Sequence, residues 1–446
     1  MDISGYISTL DRRLWALAWP LILTNITVPM LGLVDTAVLG HLPDPAYLGA
    51  VAVGANLFTV IYWTFGFMRM GTTGLAAQSH GRGETEALVQ LLCQSLIMAL
   101  AIGLGLIALQ SPIFAVGLAL MDAPPEITAL ASEYLSIRIY SAPAVLCQYA
   151  LVGWMIGTHF ARGPLLLLVT ANLVNMVLDL LFVIGFGWNS AGVAAATLMA
   201  EYLSAFLGLW IVHKRLPGIR WTRALTGTWA DYRRLFDVNR YILVRTILLL
   251  LAFAFFTAQG ARQGETILAA NAVLLTFLLL ISTGLDGFAN GAEALAGEYL
   301  GRRDRAGFIA VARTCARWSL ITAGLMTLLF AGAGGLIIDL LTSIDDIAST
   351  ARRYLPWLCL MPLVAVWSYL LDGLFIGATD SRPMQNTMIV SVIGVYLPLW
   401  WASRGLGNDG LWLALIGLMA ARGLTLGWVY HRRLSSGAWF PGQGNA

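Results

Sequence analysis

Charge is scarce in this chain. Of 446 residues only 11% are Asp, Glu, Lys or Arg, against about a quarter in soluble domains, which excludes an ordinary soluble enzyme and a charge-rich disordered chain alike. Lysine is nearly missing, since Lys214 is the one lysine among 27 basic residues. Those bases oppose 24 acids for a net charge of +3, scattered along the chain, so nucleic acid is not expected as a partner. The four cysteines, Cys93, Cys147, Cys315 and Cys359, sit unevenly inside apolar stretches, where a thiol acts as a small buried hydrophobe, and no disulfide or metal site is assigned to them. The amino terminus lacks a cationic leader with a short apolar core and cleavage site: Asp2 and Asp11 precede a segment that stays apolar to Leu39, so the first helix is expected to be retained. Paired histidines at metal spacing, a P-loop, a Gly-x-Ser-x-Gly elbow and a dinucleotide fingerprint are all missing, which argues against an enzyme and against a bound cofactor.

What is abundant is apolar length. Hydrophobic residues make up 58% of the chain and its mean hydropathy is +0.75, the composition of a polytopic protein whose partner is the lipid bilayer. Apolar runs between polar or Gly/Pro punctuation predict an all-α integral membrane fold of twelve spans, near 14–40, 46–78, 86–110, 126–157, 164–186, 191–213, 236–261, 266–300, 306–332, 347–378, 384–402 and 409–431. The longest polar stretch, from Lys214 to Phe236, divides the chain into an amino lobe at 1–217, a connector at 218–235 and a carboxy lobe at 236–446. With the amino terminus inside, 17 Arg or Lys fall in cytoplasmic segments and only Arg262, Arg352, Arg353 and Arg404 on the other side. Both termini are therefore expected in the cytoplasm.

The two halves repeat. Gly71–Glu84 aligns without a gap on Gly291–Asp304 with five identities in fourteen, and the same offset of 220 pairs Tyr134 with Tyr354, Tyr149 with Tyr369, Gly153 with Gly373, Gly157 with Gly377 and Arg162 with Arg382. Six spans per half give both halves one membrane orientation, so the fold is expected as two six-helix bundles related by a pseudo-two-fold axis along the membrane normal, the build of many secondary transporters.

Polar chemistry inside the spans separates the halves, because each ionisable group there costs about 2.5–3.5 kcal/mol on insertion scales and is a functional candidate. The first span holds Pro20, Asn25, Thr27, Pro29 and Asp35, and Pro20 lets this helix bend. In the fifth span Asn172, Asn175 and Asp179 fall within about 60° on the helical wheel. Shifted by 220, Asp35 becomes Phe255 and Asp179 becomes Leu399: the two-carboxylate site belongs to the amino half alone. Asn172, Tyr140, Met176 and Glu201 are candidates for a substrate pocket around it. Asp286, Glu293 and Asp372 either line a cleft in the carboxy half or pair with Arg245 or Arg313; both readings stay open.

The run Trp19-Pro-Leu-Ile-Leu-Thr-Asn-Ile-Thr-Val-Pro-Met-Leu-Gly-Leu-Val-Asp35-Thr-Ala-Val-Leu-Gly-His41, with Leu48–Gly54 and Arg69–Gln78, resembles the multidrug and toxic compound extrusion (MATE) family, in its DinF-type branch, and the resemblance extends over essentially the whole chain. It implies two six-helix lobes and export of small amphipathic organic cations in exchange for protons or sodium. It places the amino-lobe coupling site on Asp35, Asn175, Asp179 and Thr197, with Pro20 as the bending residue; sodium would use the same four. The NorM-type branch relies on a glutamate of the seventh span with an aspartate of the tenth. Here Asp372 stands in the tenth span while the seventh offers Arg245, which favours protons and the amino lobe. A sodium-coupled exporter and a lipid-linked saccharide flippase remain as alternatives, although a flippase is expected to line its cavity with several arginines. A monomer in the bacterial cytoplasmic membrane is the expected setting.

Overall fold

The computed structural model describes residues 3–40, 44–121, 124–216 and 229–441, with the side chains of 3–8, 28–37 and 229–231 outside that description. Every regular element among them is helical. In chain order these are α1 (Ile3–Leu39), α2 (Ala46–Thr64), α3 (Phe67–Arg82), α4 (Thr85–Ala108), α5 (Gln110–Met121), α6 (Pro125–Arg138), α7 (Ala142–Gly157), α8 (Arg162–Asp179), α9 (Asn189–Arg215), α10 (Trp229–Ala261), α11 (Glu265–Gly301), α12 (Arg305–Leu341), α13 (Asp345–Gly377), α14 (Ser381–Ile389), α15 (Leu397–Ser403) and α16 (Asn408–Ser435). Eleven helical stretches among the described residues are long and apolar enough to cross a membrane. The twelfth is α1, whose 37 residues reach about 55 Å.

Several ends differ from expectation for one reason: polar residues end a membrane span without ending a helix. Thus α1 starts at Ile3 rather than near 14 and carries Asp11, Arg12 and Arg13 within it. Similarly α10 starts at Trp229, inside the expected connector, of which residues 218–228 lie outside the described residues. The helix α12 runs on to Leu341, and the short helix α5 was not expected as a separate element. The second span is broken at Phe65 and Gly66, and the fourth by a 3-10 turn over Ile139–Ser141 ahead of Pro143.

The offset of 220 is visible in the backbone itself. Left-handed residues occur in pairs at that spacing: Gly83 (φ 73°) with Arg303 (57°), His159 (61°) with Thr379 (54°), and Gly187 (70°) with Gly407 (63°). Glu84 N–H bonds the Ser79 carbonyl at 3.0 Å and Asp304 N–H the Tyr299 carbonyl at 2.9 Å; Phe160 and Asp380 likewise reach back to Met155 and Phe375 at 2.7 and 3.1 Å. These are the six-to-one closures by which a left-handed residue caps a helix. Helix approach repeats as well. A Cβ on Gly153 would lie 2.4 Å from the Arg69 carbonyl oxygen, and one on Gly373 2.5 Å from that of Ala289. Between lipid-immersed helices such small residues permit the close packing that apolar burial alone does not drive.

By contacts the chain forms two compact units. The amino unit is Leu23–Ser79 with Gly83–Phe236; the carboxy unit is Asp237–Ala446 with His80–Arg82 and Met1–Ile22. In the amino unit α4 packs on α7, α2 on α6, and α8 on α9; Trp154 is buried there and its indole donates to the Leu88 carbonyl at 2.9 Å. In the carboxy unit α13 packs on α11, α12 and α16 around Phe256, Phe277, Phe330 and Trp412.

The expected lobe boundary at 217/218 therefore does not describe the start of the chain, since the first part of α1 groups with the carboxy half. Its side chains explain why. Asp11 accepts from the Trp318 indole at 3.0 Å and pairs with Arg317, Arg13 pairs with the buried Glu298, and Trp15 meets Phe288 and Trp318 edge-on at 5.2 and 5.1 Å. Gly287 and Gly291 leave room for Ile22 and Leu14, which a Cβ would meet at 2.2 and 2.7 Å.

Candidate functional site

The polar stripe predicted on the fifth span is on α8, and the structure turns it inward. Asn175 is 1% exposed and Asp179 0%. Asn175 Nδ2 donates to Thr197 Oγ1 on α9 at 3.1 Å, and that hydroxyl donates onward to the Val193 carbonyl at 2.9 Å. Three of the four expected coupling residues are thus on one packed helix pair. The fourth, Asp35, is within α1, but its side chain lies outside the described residues. Asn172, one turn before Asn175, donates to the Thr27 carbonyl of α1 at 3.2 Å.

Asp179 is the last α-helical residue of α8. The helix continues as a π-helical segment over Leu180–Gly185, a widened turn of the kind found disproportionately at functional sites because it displaces carbonyls from the regular ladder. Asn175 Oδ1 is buried with no hydrogen-bond partner among the described residues. A buried carboxylate next to an amide and a hydroxyl can take a proton or a small cation, and the amide and hydroxyl can serve either state as donor or acceptor.

Pro20 is buried inside α1, which stays helical across it, two residues before the end of the segment Met1–Ile22 that belongs to the carboxy unit. The other pocket candidates separate. Met176 and Tyr140 are 38% and 49% exposed, and Tyr140 lies in the 3-10 turn with its carbonyl accepting from Tyr202 at 3.0 Å. Glu201 is one turn past Thr197 on α9 and binds Gln148 of α7, with Arg138 at 3.8 Å. Gln148 was missed by the sequence reading, since it has no acid or second amide at helical spacing on its own span, unlike Asn172 and Asn175.

In the carboxy unit Asp372 is not an open cleft acid. Arg245 of α10 and Arg422 of α16 both bind its Oδ2, the latter at 2.8 Å, and all three residues are buried. Arg245 was foreseen as a partner; Arg422 was missed, although an arginine ten residues short of the basic helix end is a costly residue that asks for an acid. Two guanidiniums on one carboxylate leave no place for a free cation there. Glu293 is buried and Asp286 half-buried on α11, which belongs to the carboxy unit.

At the positions equivalent to Asn175, Asp179 and Thr197 stand Val395, Leu399 and Gly417. A Cβ on Gly417 would lie 2.5 Å from Leu399 Cδ2 and 3.8 Å from Val395 Cγ1. The Asn175–Thr197 contact of the amino half thus has an apolar counterpart in Val395 and Gly417.

Comparison with known proteins agrees with this duplicated build. The model of the MatE family matches residues 20–181 and 242–401, one segment in each half. DNA damage-inducible protein F of Escherichia coli is 43% identical over 438 residues, covering 98% of this chain and 95% of that protein. Protein DETOXIFICATION 44, chloroplastic, of Arabidopsis thaliana is 27% identical over 97% of this chain and 84% of its own length. A probable multidrug resistance protein NorM of Synechococcus is 27% identical over 92% and 91%. Among solved structures, a mutant MATE transporter of Vibrio cholerae superposes with a TM-score of 0.86 at 20% identity, over 97% of this chain and 99% of that one. A MATE in the bent conformation does so at 0.85 and 18%, over 96% and 97%. With the family model matched in both halves and the whole length shared with a 43% identical relative, the chain belongs to the MATE family of membrane transporters.

Proposed function

We propose that the chain is a secondary exporter of small amphipathic organic cations, antiported against protons, with Asp35, Asn175, Asp179 and Thr197 as the coupling site of the amino half. The observation that carries this reading is the fully buried Asp179 beside the Asn175–Thr197 hydrogen bond, in a half whose counterpart holds Leu399, Val395 and Gly417 instead. A buried carboxylate is neutralised by a proton or by a cation, and the two are alternatives at one site. Substrate and proton then compete, which is what antiport by population shift requires. Pro20 supports the motion: it removes one backbone hydrogen bond from α1, so that this helix bends there when Asp35 is protonated.

The clustering of Asp372 with two arginines supports the amino half over the carboxy half as the coupling site. The setting is the cytoplasmic membrane of a bacterium, with a monomeric chain and both termini inside, a reading supported by the 17-to-4 distribution of basic residues between the two sets of loops.

The test is export of an organic cation from vesicles holding the purified chain, driven in turn by a pH gradient and by a sodium gradient. The pH gradient alone should drive it, and substrate affinity in detergent should fall as pH is lowered. Export driven by sodium and indifferent to the pH gradient would move the coupling ion at these same residues to sodium and overturn the proton reading.

A further inference from the structure

Glu201 sits four residues past Thr197 on the same face of α9, about 6 Å further along the axis. It lies deep in the span, 12 residues from Asn189 and 14 from Arg215. Its carboxylate is oriented by a neutral group: Gln148 Nε2 donates to Oε2 and also to the Glu201 carbonyl at 3.0 Å, while Ser204 Oγ fixes the other end of the amide by donating to Gln148 Oε1 at 3.1 Å.

Arg138 holds a different relation to this acid. Its Nη2 stands 3.8 Å from Glu201 Oε1, beyond hydrogen-bond reach. The guanidinium instead donates to Ser141 Oγ and lies 5.6 Å from the Phe58 ring centroid and 5.9 Å from that of Tyr62. Those two rings stack at 5.3 Å, and the Tyr62 hydroxyl is 3.1 Å from the same Ser141 oxygen. Arg138 is 9% exposed and the Glu201 side chain 19%. Two aromatic faces and a carboxylate around a delocalised cation are the chemistry by which an organic cation is recognised. Here the chain's own arginine fills that place, loosely on the carboxylate side.

From this arrangement we infer that Glu201 is a second cation-accepting carboxylate of the amino unit, with Arg138 as a resident counter-ion that the head group of a cationic substrate displaces. The inference rests on the export reading above. Exchange of one cation for another keeps the Glu201 carboxylate compensated, the displaced guanidinium retains Ser141 and the two rings, and Gln148 keeps the carboxylate aimed while the exchange takes place.

The experiment is equilibrium binding of tetraphenylphosphonium to the full-length chain in detergent, with uncharged triphenylphosphine oxide as control. Removing the competitor with Arg138→Met should tighten tetraphenylphosphonium binding by about fivefold, and Glu201→Gln should weaken it by about tenfold, the size of one charge-assisted contact. In the double variant the gain from Arg138→Met should vanish, because its only route is through Glu201. Affinity for the uncharged control should move with neither change. If Arg138→Met does not fold, Arg138→Gln, which can still donate to Ser141, is read in the same way. Unchanged binding in Glu201→Gln, or weaker binding without Arg138, overturns this inference and leaves the export reading standing. Failure of the unmodified chain to bind the cation at all overturns both.

Discussion

The two halves of this transporter share a backbone and differ in their interiors. At the turns and close helix contacts the repeat is kept in backbone geometry: Gly153 and Gly373 each bring a neighbouring carbonyl within 2.5 Å of where a Cβ would stand. Inside the helices it is not. The amino half has Asn175, Asp179 and Thr197 where the carboxy half has Val395, Leu399 and Gly417. Conversely Asn25, Val152 and Tyr202 of the amino half occupy the places of Arg245, Asp372 and Arg422. Both helices that could carry the site contain a π-helical segment, Leu180–Gly185 and Val390–Tyr396, yet at different heights relative to the repeat. The lesson is that duplication fixed the frame, while the burial of charge, which is expensive wherever it occurs, was resolved differently in each half. One half keeps a buried carboxylate one turn from the amide that bonds Thr197; the other holds its carboxylate between two arginines.

The strongest way to break that comparison is at the carboxylates. Asp179→Asn should abolish gradient-driven export, as should Asp35→Asn, while Leu399→Ala at the equivalent position leaves export measurable at normal expression levels. Equal loss at both positions would place coupling in the two halves alike.

A smaller effect of another kind is expected at Asp372. Its removal leaves Arg245 and Arg422 buried without their acid, which costs about 3–5 kcal/mol. Asp372→Asn should thus lower the temperature at which the chain survives heating in detergent, as read by size-exclusion chromatography, more than it lowers export per folded molecule. A normal heating profile with lost coupling would make Asp372 a coupling acid.

Smaller again is the effect of crowding the repeated contacts. Gly153→Ala and Gly373→Ala each push a methyl onto a backbone carbonyl and should destabilise by about 1–3 kcal/mol, by similar amounts in the two halves. A difference between them in the same heating assay would show that the frame is less symmetrical than its geometry.

The smallest expected effect concerns the left-handed turn pairs. Thr379, at φ 54°, bears a branched Cβ in a conformation that glycine adopts freely, so Thr379→Gly should stabilise slightly. Gly83→Ala, at φ 73°, should destabilise by about 1 kcal/mol. Chemical denaturation of the two variants side by side would sharpen how equivalent these turns are.

The sequence by itself determined the number of spans, the offset of the repeat and the half that carries Asp35 and Asp179. These are one-dimensional properties: apolar length, self-similarity and the presence or absence of an acid at a given position survive without knowledge of packing. Only the tertiary structure decided which groups meet. Arg422 lies 50 residues from Asp372 and Gln148 lies 53 from Glu201, and whether such residues touch depends on the rotation of each helix about its axis, which apolar patterning leaves loose in a chain that is hydrophobic on nearly every face. The grouping of the first part of α1 with the carboxy unit was hidden for the same reason. It rests on Asp11, Arg13 and Trp15 finding Trp318, Glu298 and Phe288 in the other half of the chain, and those partners can be seen only once the helices have packed.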